Sequence, residues 1–400
     1  MTTLESPLTI ADLDYGLYDA DEHYYEAEDC LTRHLDKEFR REVKWVDIEG
    51  RRTMIIGGKL LTVVPNPSYN PVGAPGSLEV YFRSANHTGM ELRDMVKMQP
   101  IQPEYRSREH RVAWMDNNSV DFAWLIPSLG LGLEEMLCDD PILTHTIFRA
   151  YNRWLEEDWG YDRDGRLQTG PMITLLDPAE AEKELARVIA IGIKFITMRP
   201  APVRDPGRHR SPADRAYDRF WSMCEDANVV VGIHAGDSGY SPFVADWGDD
   251  RKYTGMKLSP LAEVMGVHTE RPIYDMIAAM VCHGIFDRHP KLRVATLELG
   301  SGWVPSLHRR FRIAYGKSPQ NFGADPSQAF REHVWVSPFY EDSISDLVDV
   351  HGADRILMGS DWPHPEGLAS PQQWVSEFGG LTLEQTRMVL RDNLKALVGH

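Results

Sequence analysis

Apolar and β-branched positions gather into short runs that end in polar, Gly or Pro residues, and each run is followed by a stretch with helical periodicity. That alternation is the pattern of a parallel sheet with crossover helices. Eight runs qualify: Leu17–His23, Asp121–Pro127, Leu167–Leu176, Ile193–Pro200, Val229–Gly236, Arg293–Gly300, His333–Tyr340 and Arg355–Trp362. Eight such units close a (β/α)8 TIM barrel, so residues 1–400 are expected to form one α/β barrel domain. Helix starts are marked by Asp177-Pro178 before Ala179–Ile191, Ser211-Pro212 before Ala213–Ala227, and Arg271-Pro272 before Ile273–Phe286; proline fits the first helical turn. Ser370–Val398 carries Leu383, Met388, Leu390, Leu394 and Leu397 on a roughly helical period and is expected to close the outside.

Two insertions break the alternation. Residues 24–110 include Val43–Val64, where Glu49-Gly50 and Gly57-Gly58 separate apolar runs as in a small antiparallel meander, and then Pro65–Ser77, which reads as an exposed loop. Residues 237–271 follow the fifth strand, and barrel active sites sit where strands end, so this segment is expected to be a lid. Tyr240, Phe243, Trp247 and Tyr253 would form its apolar underside.

Composition narrows the partners more than the fold. A formal charge of −17, from 60 acidic and 43 basic residues, repels nucleic-acid phosphates and anionic lipid surfaces. A small-molecule substrate remains, with neither nucleic acid nor membrane. Cys30, Cys138, Cys224 and Cys282 form no CxxC pair and read as buried, reduced thiols. With no basic start followed by an apolar run, and no stretch near ~18 apolar residues, a cytoplasmic location is expected.

The chemistry sits at strand ends. In an extended chain residues two apart point the same way, so Asp21 and His23, closing the first strand, can face one ion together. The fifth strand ends at His234 and the eighth delivers Asp361. Two carboxylates and two imidazoles suit one divalent metal ion, Zn²⁺ first with Mn²⁺ or Fe²⁺ as rivals, and leave a position open for water. Such an ion makes its water a nucleophile near neutral pH and polarises a substrate oxygen.

These strings resemble the amidohydrolase-related family that includes aminocarboxymuconate-semialdehyde decarboxylase and other barrel decarboxylases and hydrolases. The likeness runs nearly end to end: Asp-x-His at the start, Val112–Pro127, Tyr151-Asn152-Arg153-Trp154, Gly232-Ile233-His234, Gly284 to Val294, and Gly359-Ser360-Asp361-Trp362-Pro363-His364-Pro365. By that resemblance Asp21 and His23 take the family's first-strand metal positions, often His-x-His, and His234 and Asp361 the other two. Asp21 in place of His hardens the site and strengthens Mn²⁺. The decarboxylating relatives carry a catalytic His at the sixth strand, whereas this chain reads Leu297-Glu298-Leu299-Gly300-Ser301-Gly302-Trp303.

Glu298 therefore stands where a general acid/base is expected, unless it is a structural carboxylate. A carboxylate that takes a proton from water favours hydrolysis, whereas decarboxylation needs a proton donor to carbon. The leading expectation is accordingly a metal-dependent hydrolase of a small carbonyl compound, cleaving a C–C or C–N bond. The alternative is a non-oxidative decarboxylase of an aromatic or enoic acid, and a barrel without catalysis, serving as a scaffold, is the third reading. Asp361 and His283 join Glu298 as candidate catalytic groups, although His283 also reads as a buried, satisfied imidazole. Arg199, His364, Tyr240 and Trp303 are candidate substrate contacts, Arg199 as a carboxylate clamp. Relatives of this kind are commonly dimers, and a tryptophan-rich outer surface would permit a homodimer.

Overall fold

The computed structural model describes residues 8–205, 208–249 and 259–400. Its centre is a ring of parallel strands. Leu17–Tyr24, Val120–Pro127 and Leu167–Thr169 form one arc. Phe195–Met198, Val230–His234, Arg293–Leu297 and Val334–Val336 form the other. Single bridges join the arcs at Met172 with Thr197, and at Val336 with Ile356 and Glu22 with Trp362 on either side of the eighth segment. Arg355–Trp362 thus holds the eighth place without being a regular strand. Its pairings to the first strand, Ala20 N to Met358 O at 2.8 Å and Asp361 N to Asp21 O at 2.7 Å, are spread along an irregular path. The third run pairs regularly only over its first three residues, because Pro171 offers no amide to the ladder.

The barrel interior is filled by side chains. Trp124 lies flat on Phe195, centroids 4.3 Å apart, and Gly232 leaves the room this stack requires: a Cβ there would come within 2.3 Å of the Phe195 ring. Outer helices start where acidic caps stand before proline. The Asp177 carboxylate accepts from the amides of Ala179 and Glu180 at the head of Pro178–Ala190, and Asp140 and Asp325 do the same work for Pro141–Asp158 and Pro326–His333. The helix expected over Ala213–Ala227 is a 3-10 turn, Arg215–Tyr217, followed by Asp218–Asp226. The one expected over Ile273–Phe286 runs Glu270–Cys282, with a separate turn at Ile285–Arg288.

The first insertion contains the meander, Val43–Ile48, Arg51–Ile56 and Lys59–Leu60. Both of its turns use paired left-handed residues, Glu49 (φ 51°) with Gly50 (75°) and Gly57 (58°) with Gly58 (75°), the conformation that matches strand twist. Pro65–Ser77 is not an exposed loop. Tyr69 stacks on Tyr25 at 4.6 Å, and Val72–Gly73 pairs with Met98–Gln99, so the segment turns its apolar side chains inward over the barrel mouth. In the second insertion Tyr240 is half-buried while Phe243 and Trp247 are exposed; Tyr253 lies outside the described residues. Tryptophan does not coat the outside: among the exposed large hydrophobic residues it contributes Trp247 alone. Cys282 is exposed and Cys138 partly so, against the expectation of four buried thiols. Among the described residues no helix is long and apolar enough to cross a membrane.

One buried polar pair sets an acid limit. His308 and His351 share a hydrogen bond of 3.0 Å between outer helices, with Ser327 Oγ at 2.7 Å from one end and Val334 O at 3.0 Å from the other. Burial holds His308 at about 4 and His351 at about 3, below the ordinary imidazole value. The unfolded chain therefore takes up protons first as pH falls below about 6.5. Stability is lost from there down to the folded-state values, on the order of 2 kcal/mol per imidazole at pH 5. In chelator-treated protein, the fall in melting temperature between pH 7 and pH 5 should shrink in the His308→Gln/His351→Gln double variant. An undiminished fall would place the acid sensitivity elsewhere.

Candidate metal centre

Asp21 and His23 reach the same point because strand pairing slips between Asp19 and Glu22, a bulge of the kind that re-aims side chains at strand ends. Asp19 anchors the slip, its Oδ1 accepting from the amides of Asp21 and Ser360, both at 3.0 Å. Asp361 and Glu298 sit in left-handed backbone, φ 58° and 50°. Non-glycine residues adopt that region at a cost, and such residues cluster where a side chain must be aimed.

The donors converge. His23 Nε2 lies 3.3 Å from Asp21 Oδ1, 3.2 Å from Asp361 Oδ1 and 3.7 Å from Glu298 Oε2. His234 Nε2 lies 3.3 Å from Asp21 Oδ1 and 3.1 Å from Glu298 Oε2. Metal–ligand bonds of about 2.1 Å put neighbouring donors roughly 3.0 Å apart in an octahedron and 3.4 Å in a tetrahedron, so these separations match the edges of a shell around a small cation. Both nitrogens of buried His23 lack a hydrogen-bond partner despite the carboxylates around Nε2, as expected of a ring aimed at an ion. His234 Nδ1 donates to Ala235 O at 2.8 Å, which turns the Nε2 lone pair toward the cluster. Burial disfavours charge on each group. Even so, Asp21 and Glu298 lift His234 well above its ordinary value, and His234 and His23 hold Asp21 below the usual carboxylate range. The cluster calls for positive charge, and the donor set fits a divalent cation.

Beside it runs a proton chain. His364 Nε2 lies 2.9 Å from Ser128 Oγ, whose own hydrogen is given to Tyr24 O at 2.8 Å, so Nε2 must be the donor. His364 Nδ1 lies 2.7 Å from Asp361 Oδ1. With Nε2 already protonated, that short contact is attractive only if it holds a further proton, on the imidazole or on the carboxyl. Burial pulls His364 down, but Asp361 more than offsets it and raises the imidazole to about 9. The His364 ring stacks on His23 at 3.8 Å.

Above the cluster opens a cavity of about 450 Å³. Its floor includes Asp21, His23, His234, Glu298, Asp361 and His364, and much of its wall comes from the first insertion. Four candidate residues stand elsewhere. Arg199 is tied to Glu135 Oε2 at 2.7 Å and to Asp237 O, so its guanidinium neutralises carboxylates outside the cavity. His283 is an exposed C-terminal helix residue, Tyr240 donates to Asp275 at 2.9 Å, and Trp303 is buried with Nε1 on Gly300 O. Sequence reasoning missed Ser128, Glu341, Glu366 and His268, all of which line the cavity. Ser128 directly follows the second strand, the one signal that pointed to it.

A parallel barrel with carboxylates and imidazoles gathered at the carboxyl ends of its strands defines the class of metal-dependent barrel enzymes. The chain belongs to the amidohydrolase family, whose model matches residues 109–399. It is 40% identical to an amidohydrolase of Mycobacterium avium subsp. paratuberculosis K-10, with a TM-score of 0.91 over 97% of this chain and 100% of that one. It is 25% identical over 291 residues to the gamma-resorcylate decarboxylase of Polaromonas sp., covering 68% of this chain and 83% of that protein. The fold is shared, at 15% identity and a TM-score of 0.56 over 96% of this chain and 97% of that one, with a dihydroxybenzoic acid decarboxylase of Polaromonas sp. JS666, solved with manganese and 2-nitroresorcinol.

Proposed function

We propose that this enzyme is a metal-dependent, non-oxidative decarboxylase of an aromatic or enoic acid, the reading placed second on sequence alone. The observation that carries it is the 2.7 Å contact between His364 Nδ1 and Asp361 Oδ1 on the cavity floor, which calls for a shared proton. The activities of the decarboxylase relatives lend further support.

Asp21, His23, His234 and Asp361 would hold the cation, with Glu298 at the edge of the same cluster. Three carboxylates make a hard site, which together with the manganese of the Polaromonas structure favours Mn²⁺ over Zn²⁺. When bound, the ion supplies charge that fixes and polarises substrate oxygens.

The chain's own part is proton management. The bond to the carboxyl group breaks with its electron pair left on the substrate carbon, carbon dioxide departs, and the His364–Asp361 proton moves to that carbon. His364, next to Ser128, is the route by which a proton returns.

Glu298 keeps hydrolysis as a second reading, since its carboxylate can accept a proton from an attacking water. Protein loaded with Mn²⁺ is expected to release carbon dioxide from at least one member of a hydroxybenzoate panel, followed as gas and as replacement of the benzoate absorption band by that of the phenol. Hydrolysis of a meta-cleavage dienone with no carbon dioxide from any acid would reverse the order.

A further inference from the structure

The outer cavity is built by residues that no barrel strand supplies. Leu78, Phe82, Leu92, Val96 and Met98, all from the first insertion, form an apolar wall opposite the donor-rich floor. The volume, about 450 Å³, lies within the roughly 300–1,000 Å³ of pockets that take ligands larger than one ring. A single-ring acid seated at the floor leaves much of that wall wetted, which apolar surface disfavours. Charge restricts the occupant further. No Lys or Arg is among the described lining residues, while Glu341 and Glu366 add carboxylates beside Asp361. One anionic group can be neutralised at the floor; a second, further out, would find no Lys or Arg among the described lining residues and would stand near the carboxyl groups of Glu341 and Glu366.

Resting on the decarboxylase reading for the position of the acid group, we infer that the substrate is a monocarboxylic acid with an uncharged apolar body larger than one ring. That body lies against the wall formed by Leu78, Phe82, Leu92, Val96 and Met98. The insertion thereby sets specificity, while the barrel strands hold the chemistry.

The test is binding to the Mn²⁺-loaded protein by calorimetry, using 2-hydroxybenzoate and its 4-propyl, 4-phenyl and 4-carboxyethyl derivatives. Affinity is expected to rise about threefold for each added methylene that reaches the wall, and the carboxyethyl compound should bind at least tenfold more weakly than the propyl one. Phe82→Ala and Val96→Ala, verified as folded by their melting temperatures, should each cost the phenyl compound about tenfold and leave 2-hydroxybenzoate within twofold. A flat series, a preference for the unextended acid, or equal loss for both ligands in the variants would overturn the inference. Tighter binding of the extended acids without carbon dioxide release from any of them would sink decarboxylation and leave the substrate class standing.

Discussion

His364→Gln is expected to lower kcat by about 10²- to 10⁴-fold, the usual worth of a placed proton donor. KM and metal content should stay near their wild-type values. The glutamine amide can still donate to Asp361, so the carboxylate remains oriented and its charge is unchanged. What disappears is the imidazole whose Nδ1 stands 2.7 Å from Asp361 Oδ1 while its Nε2 donates to Ser128. Because Asp361 supports the imidazolium up to about pH 9, activity in the wild type should persist into mildly alkaline solution. Without the ring no proton is held beside Asp361, and the alkaline limb that the His364 imidazolium sets should be lost from the residual activity. A merely structural histidine would change KM, metal content or melting temperature together with kcat. A variant that keeps kcat within about threefold of wild type would remove the shared proton from the mechanism.

The centre was legible in the sequence because strand ends are short and local. Asp21, His23, His234 and Asp361 could be read off three residue strings, and the structure brings Asp21, His234 and Asp361 around His23 through a bulge and one left-handed residue. The barrel was legible for the same reason, each run of apolar residues reporting its own strand. What the strings could not report is direction beyond the strand end. Arg199 terminates a strand run just as His234 does, yet two glutamates of a short preceding helix, Leu133–Leu137, claim it first: Glu134 and Glu135. His283 caps the end of one outer helix and Trp303 begins another, and neither lines the cavity. The cavity wall was invisible because Pro65–Ser77 has loop composition, and only tertiary contacts such as Tyr69 on Tyr25 fold it inward.

Arg111→Met is expected to destabilise the protein by about 3–5 kcal/mol near pH 8, measured by urea unfolding of the chelated protein. Arg111 is fully buried, held between Trp362 at 4.5 Å and Trp159 at 5.8 Å, and donates to Glu22 at 2.8 Å, to Glu104 O and to His23 O. Methionine fills much of the volume but leaves the Glu22 carboxylate, also fully buried, without its counter-ion, and strands two carbonyls. Burial already pushes Glu22 above the ordinary carboxyl value while Arg111 pulls it back, so without the arginine the folded-state value rises further. A group whose folded-state value is raised loses stability as pH climbs from its unfolded value to its folded one. The penalty should therefore be smaller at pH 5 than at pH 8. Glu22→Gln added to Arg111→Met should recover part of the loss at pH 8 and abolish its pH dependence. A single variant within about 1 kcal/mol of wild type at pH 8 would mean that water reaches the pair. Because Arg111 also grips the carbonyl of His23, the same variant should weaken Mn²⁺ affinity, joining the stability of this ion pair to the placement of an imidazole in the metal centre.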